Sequence, residues 1–72
     1  GYKESRELEA LPARIELLET RQAELQAQVS APEFYRQDQP AIAARLAELA
    51  ALDESLLAAY ARWEELEALA AR

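Results

Sequence analysis

The chain has 72 residues, a formal net charge of −6, one glycine, and neither cysteine nor histidine. A chain this short forms at most one small domain. Its composition excludes glycine-rich phosphate loops, disulfide frameworks, thiolate or imidazole catalysis, and histidine–cysteine zinc sites. The acidic balance also argues against a general polyanion-binding domain, since the chain has no overall positive field.

The first predicted element is a long helix over about residues 5–29. Its apolar seam alternates spacings of three and four and has one polar member: Leu8, Leu11, Ile15, Leu18, Gln22, Leu25 and Val29. This heptad pattern is typical of a coiled-coil helix. Pro12 lies inside the segment, where proline removes a backbone hydrogen bond, so we expect a kink or a tight turn there.

A connector over about residues 30–39 follows, and it contains Pro32. Ser30 with Glu33 three residues later resembles a capping box for a short helical turn. Asp38, just before Pro40, is placed to cap the second helix. The sequence therefore predicts a brief helical turn between two long helices.

The second predicted helix covers about residues 40–71. Ile42, Leu49, Leu56 and Trp63 recur every seven residues. Further apolar residues widen this stripe: Leu46, Leu52, Ala59, Tyr60 and Leu66. Both long segments are therefore amphipathic, and the fold class is predicted to be all-α.

The two seams match in antiparallel register. Facing residues in such a pair have position numbers with a constant sum, and six pairs share one: Leu8–Trp63, Leu11–Tyr60, Ile15–Leu56, Gln22–Leu49, Leu25–Leu46 and Val29–Ile42. Their midpoint falls between Tyr35 and Arg36, inside the proline-bounded connector. The sequence thus predicts a single two-helix antiparallel coiled-coil hairpin with a short helical turn at its tip.

Carboxylates are numerous, but acid–base or metal chemistry needs a pocket that perturbs them. A two-helix hairpin offers no such pocket, so we interpret them as a solvated surface and expect no catalytic, cofactor or metal site. No apolar run is long enough to span a bilayer, and the N-terminus lacks the pattern of a signal peptide.

Basic residues suggest one possible binding surface. Arg14 and Arg21 lie seven residues apart on one edge of the first helix, with Lys3 and Arg6 near its start and Arg36 near the tip. A line of arginines can track phosphates. Local ion pairs, such as Arg21 with Glu48, are the alternative interpretation.

Three stretches carry a family resemblance: YKESRELEALP (residues 2–12), APEFY (residues 31–35) and AYARWEELE (residues 59–67). Together they resemble the C-terminal coiled-coil domain of bacterial ABC-F ATPases, especially the Uup branch. The resemblance covers nearly the whole chain. Its specific parts are the Leu-Pro, Pro-Glu-Phe-Tyr and Tyr-x-x-Trp-Glu-Glu-Leu pieces.

The resemblance implies a cytoplasmic protein with two ATP-binding cassettes, of which this chain would be a C-terminal fragment. ATP and Mg²⁺ would then belong to cassettes outside this chain. The family is tied to the ribosome and to translation, and the Uup-type hairpin to DNA binding. No catalytic residue of the family maps onto this chain.

Two function classes remain open at this point. In the first, the hairpin is an accessory arm that contacts DNA or ribosomal RNA non-specifically through Lys3, Arg6, Arg14, Arg21 and Arg36. In the second, it is a protein-interaction, spacer or dimerisation module that uses Leu17, Leu57 and the wide stripe of the second helix.

Overall fold

The computed structural model describes all 72 residues and consists of two long helices joined at a tip. Helix α1 covers Tyr2–Ser30, a 3₁₀ turn covers Pro32–Arg36, and helix α2 covers Gln39–Ala70. We call the 3₁₀ segment the tip turn. The helices pack side by side into a rod of 53 × 16 × 15 Å. The predicted all-α helical hairpin is therefore confirmed.

Helix α1 begins at Tyr2, three residues before the predicted start, and it continues as one helix through Pro12. The tight turn expected as one alternative at Pro12 is therefore wrong, because α1 is one continuous helix. Pro12 is exposed, so its ring meets solvent and not the other helix. The local cost remains, because proline has no N–H to donate to the carbonyl of Leu8.

Replacing Pro12 by alanine should therefore stabilise the hairpin. Proline in a helix interior costs about 3 kcal/mol relative to alanine. Alanine also gives the unfolded chain more freedom, which offsets about 1 kcal/mol, so we expect a net gain of about 2 kcal/mol. Thermal unfolding followed by circular dichroism measures it. An unchanged or lower melting temperature would show that α1 has already relaxed around the ring.

The helix ends differ in detail from the predicted caps. Ser30 is the last residue of α1 and makes no cap hydrogen bond, so the capping box with Glu33 is wrong. Asp38 does occupy the N-cap of α2, but its side chain forms no cap bond. Its carbonyl oxygen instead accepts a hydrogen bond from the Ile42 amide at 3.1 Å. Pro40 lies in the first turn, where a missing N–H is tolerated.

The tip turn is anchored by its two aromatic residues. Phe34 is buried at 5% exposure. Tyr35 is more exposed, but its hydroxyl donates a hydrogen bond to the Val29 carbonyl at 2.8 Å. Its ring meets Phe34 edge-on, with 4.9 Å between the centroids. The connection is therefore a packed turn, which fixes where Arg36 lies.

The core is one seam between α1 and α2. Its main cluster contains Leu11, Ile15, Leu56, Ala59 and Leu66, with Leu8, Leu18 and Trp63 packed against it. Leu25 and Ile42 are also buried. Ile15 with Leu56 and Leu8 with Trp63 therefore share a cluster, as the predicted register requires.

Two of the predicted seam residues lie at an edge. Ala59 is buried, whereas Tyr60 is 39% exposed and Leu46 is 43% exposed. The helical repeat explains this difference. The α2 seam contains Leu49, Leu56 and Trp63 together with residues three positions after them, namely Leu52, Ala59 and Leu66. Tyr60 and Leu46 instead lie four positions after a seam residue, so their side chains point to the edge of the seam. Ala59, and not Tyr60, therefore shares the core cluster with Leu11.

Candidate nucleic-acid interface

One side of the hairpin is lined by arginines, and we call it the arginine edge. It is formed by the residues directly flanking the seam on that side: Glu7, Arg14 and Arg21 of α1, and Glu48, Ser55 and Arg62 of α2. Two cross-helix ion pairs, Arg21–Glu48 and Arg62–Glu7, establish that these residues face one another. The antiparallel register thus brings cations from both helices to a single edge.

Arg21 and Glu48 form a bidentate pair. The Nε of Arg21 donates to one carboxylate oxygen at 2.8 Å, and its Nη2 donates to the other at 3.1 Å. Arg21 also contacts Glu24. The hydrogen bonds from Arg21 hold the pKa of the Glu48 carboxyl below its ordinary value of 4.5. The charge of Arg21 is therefore largely compensated within the hairpin.

Arg62 repeats this arrangement two turns from the open end. Its Nε and Nη2 donate to the two carboxylate oxygens of Glu7, both at 2.8 Å, and its Nη1 contacts Glu65. The hydrogen bonds from Arg62 lower the pKa of Glu7. The sequence interpretation missed Arg62. The position numbers of Glu7 and Arg62 add up to the same value as those of Arg21 and Glu48, so the register that brings Arg21 to Glu48 also brings Arg62 to Glu7.

Arg14 lies between these two ion pairs and forms no salt bridge. It lines a surface groove of about 380 Å³ whose other walls are Glu7, Ala10, Leu11, Ser55, Ala58, Ala59 and Arg62. The small alanine side chains keep the groove open. Arg14, the Ser55 hydroxyl and Arg62 therefore surround a space in which an anion could be bound.

The other predicted contact residues are spread along the rod. Lys3 and Arg6 lie at the open end, where Arg6 donates to the Tyr2 hydroxyl at 2.7 Å and lies 5.6 Å from its ring centroid. Arg36 is exposed at the tip. Neither these three residues nor Arg14 forms a salt bridge with a carboxylate. Of the predicted set, only Arg21 is tied to carboxylates.

The opposite side of the hairpin is uniformly acidic, and we call it the acidic edge. Its charged residues, taken from the helical repeat, are Glu9, Glu16, Glu19, Asp53, Glu64 and Glu67, with no lysine or arginine among them. Contacts of Tyr60 with Glu19 and of Gln22 with Asp53 join the helices there. Everywhere else, the eight basic residues are balanced by the eight remaining acidic ones. The whole net charge therefore lies on one edge.

The cross-helix ion pairs should make stability depend on pH in a specific way. Because the pKa of Glu48 is lowered in the folded state, its contribution is present above about pH 4.5 and is lost as the pH falls through the folded pKa. Glu48→Gln should therefore lower the melting temperature at neutral pH, and the gap to the parent chain should close in acid.

Glu54→Gln is the matched control, because Glu54 is exposed on α2 and forms no ion pair. Its melting temperature should follow that of the parent chain throughout. A gap for Glu48→Gln that persists unchanged in acid would contradict the assigned role of the carboxylate.

The structure contains no helix that is long and apolar enough to cross a membrane. It also contains no cluster of three or more potential metal ligands.

The architecture defines an antiparallel coiled-coil domain, and residues 1–68 match the family model described as the ABC transporter C-terminal domain. The chain belongs to that family. It is 47% identical over 67 residues to the ATP-binding protein Uup of Haemophilus influenzae and 44% identical over 69 residues to Uup of Escherichia coli K12. These matches cover 93% and 96% of this chain but only 10% and 11% of those relatives.

A solved structure also matches the chain closely. It is the C-terminal domain of the Uup protein, described as a DNA-binding coiled coil motif, and it matches with a TM-score of 0.90 at 43% identity. The match covers 96% of this chain and 81% of the other. The resemblance inferred from the sequence motifs is confirmed.

Proposed function

We propose that this hairpin is an accessory arm of a larger ABC-type ATP-binding protein, and that it binds duplex DNA without sequence preference. The observation that carries the proposal is the segregation of charge onto two edges. The similar Uup domain, described as DNA-binding, supports it. The relatives' names support ATP binding in parts of the protein outside this chain. Mg²⁺ bound with that ATP and a cytoplasmic location are further parts of the proposal.

The separation of cations and carboxylates onto two edges allows DNA binding despite the unfavourable net charge, because salt screens the repulsion between phosphates and the distant carboxylates. The rod is about 16 Å across, whereas the Debye length at physiological ionic strength is about 8 Å. Phosphates at the arginine edge are thus about two Debye lengths from the acidic edge. The repulsion is therefore weak there, while the cations lie within direct contact distance.

Four of the predicted contact residues are available to pair with phosphates: Lys3, Arg6, Arg14 and Arg36. They carry no carboxylate partner, so binding a phosphate breaks no internal ion pair. Arg21 and Arg62 hold the helices in register and line the same edge, and their guanidinium groups are already largely satisfied. The four free side chains are spread along the rod and are not gathered into one group that could read the edges of the bases. This arrangement supports binding without sequence preference.

A salt titration tests this proposal. Each neutralised phosphate adds about 0.9 to the steepness of the plot of log K against log salt, so four contacts give a slope of about −3 to −4. Fluorescence anisotropy with labelled duplexes of two unrelated sequences measures it, and the two should agree. Absence of binding even at low salt would contradict the proposal.

Two alternatives have separate signatures. A ribosomal RNA arm would bind structured RNA more tightly than duplex DNA under identical salt. A spacer or dimerisation module would bind neither, and it is favoured by the exposure of Leu17 and Leu57, at 73% and 71%. Sedimentation with and without Leu17→Ser and Leu57→Ser detects such self-association.

A further inference from the structure

Helix α2 carries a second stripe that is separate from its core seam. Spacings of three and four connect Leu46, Ala50, Asp53, Leu57, Tyr60, Glu64 and Glu67. This is the period of a helix face that packs against another helix. Helix α1 packs against the neighbouring seam and reaches this stripe only through hydrogen bonds with Asp53 and Tyr60. The outer face of the stripe, on the acidic edge, is covered by no other helix.

The centre of this stripe is apolar and accessible. Leu57 is 71% exposed and Tyr60 is 39% exposed. Two shallow grooves meet at Tyr60: one is lined by Gln22, Asp53, Leu56, Leu57 and Tyr60, and the other by Tyr60, Trp63, Glu64 and Glu67. They form one continuous surface from Asp53 to Glu67. Its length is about 20 Å, given a rise of about 1.5 Å per residue.

Hydrogen bonds position the side chains around the apolar centre. The Tyr60 hydroxyl donates to Glu19 of α1, and the Trp63 Nε1 donates to Glu67 at 2.9 Å. Gln22 donates to Asp53 at 2.7 Å. None of these contacts neutralises a carboxylate, and Glu64 has no salt bridge. The surface is thus two apolar side chains between carboxylates, with no cation.

We propose that this acidic edge docks a basic amphipathic helix of a partner protein. A helix with two or three apolar residues on one face can cover Leu57 and Tyr60, and lysine or arginine beside them can pair with the flanking carboxylates. DNA does not fit because phosphates are repelled. The same edge of a second copy is repelled for the same reason.

This inference is independent of DNA binding, because it uses the other edge. The arm would then hold DNA on one side and a protein on the other. The acidic edge lies about two Debye lengths from DNA on the arginine edge at physiological ionic strength, so an occupant there should leave DNA binding nearly unchanged.

A designed peptide pair provides the test. The first peptide is an amphipathic helix of about 18 residues, with three leucines on one face flanked by lysine and arginine. The second has the same sequence with every cation replaced by glutamate. We expect the basic peptide to bind this chain, with a change in Trp63 fluorescence, and the acidic peptide not to bind. Equal binding of both peptides, or of neither, would overturn the proposal.

Two matched variants locate the contact. Leu57→Ser should weaken peptide binding at least about tenfold and leave DNA binding unchanged. Leu17→Ser removes an equally exposed leucine from the other side of the hairpin and should have no effect. Circular dichroism verifies folding of both variants. Equal losses for the two variants, or a dimer of the parent chain abolished by Leu57→Ser, would contradict a heterologous basic partner.

Discussion

Leu25→Ala should destabilise the hairpin by about 2–5 kcal/mol, the range for truncating a large buried aliphatic side chain. Leu25 has 0% exposure in a seam that is only one layer deep. A domain of this size has a total stability of about 4–11 kcal/mol. The substitution should therefore consume much of that stability, and thermal or urea unfolding followed by circular dichroism will measure it.

Leu17→Ala is the control for this experiment. Leu17 loses the same atoms, but it is 73% exposed, so its effect should be within about 0.5 kcal/mol. Similar losses at the two positions would mean that the helices do not pair along the assigned seam.

The second large effect concerns DNA. Arg14→Gln combined with Arg36→Gln removes two of the four free cations among the predicted contact residues, so the salt slope should fall by about 2 units. We expect affinity at low salt to fall by on the order of tenfold or more. Anisotropy titrations with one duplex measure both quantities.

The control introduces the same change in net charge on the other edge. Ala23→Glu with Ala50→Glu places two further carboxylates at exposed positions beside the acidic edge, and the DNA affinity should stay within about twofold because of screening. If both doubles lost affinity equally, binding would follow total charge, and the arginine edge would have no special role.

Arg21 is deliberately left intact in that design. Its replacement by glutamate would set a third carboxylate beside Glu24 and Glu48. The bidentate cross-helix pair would become a repulsion, and loss of binding could then reflect separation of the helices.

The architecture was predictable because the heptad spacing of each helix and the matched sum of positions depend only on the sequence. The error at Tyr60 has a physical basis. Ala59 and Tyr60 both lie beside the stripe, and hydrophobicity favoured the tyrosine, whereas the helical repeat places the smaller residue inside. The sequence left open whether α1 continues through Pro12, because packing of the seam on both sides competes with the local loss of one hydrogen bond.

The candidate site was only partly predictable. Lys3, Arg6, Arg14, Arg21 and Arg36 could be chosen from helix position, but which of them stays free depends on side chains across the hairpin. Glu48 compensates Arg21, whereas Ser55 leaves Arg14 without a carboxylate. The acidic edge combines residues of both helices, so it is seen only when the two helical repeats are placed side by side in the antiparallel register.

The most direct test of the central claim, that DNA lies along the arginine edge, is an amide NMR titration of this chain with a short duplex. Saturable shifts should concentrate at Arg14, Ser55 and Arg36, and Glu16, Leu57 and Glu64 should remain unperturbed. Shifts centred on the acidic edge, or spread evenly around both helices, would contradict the account.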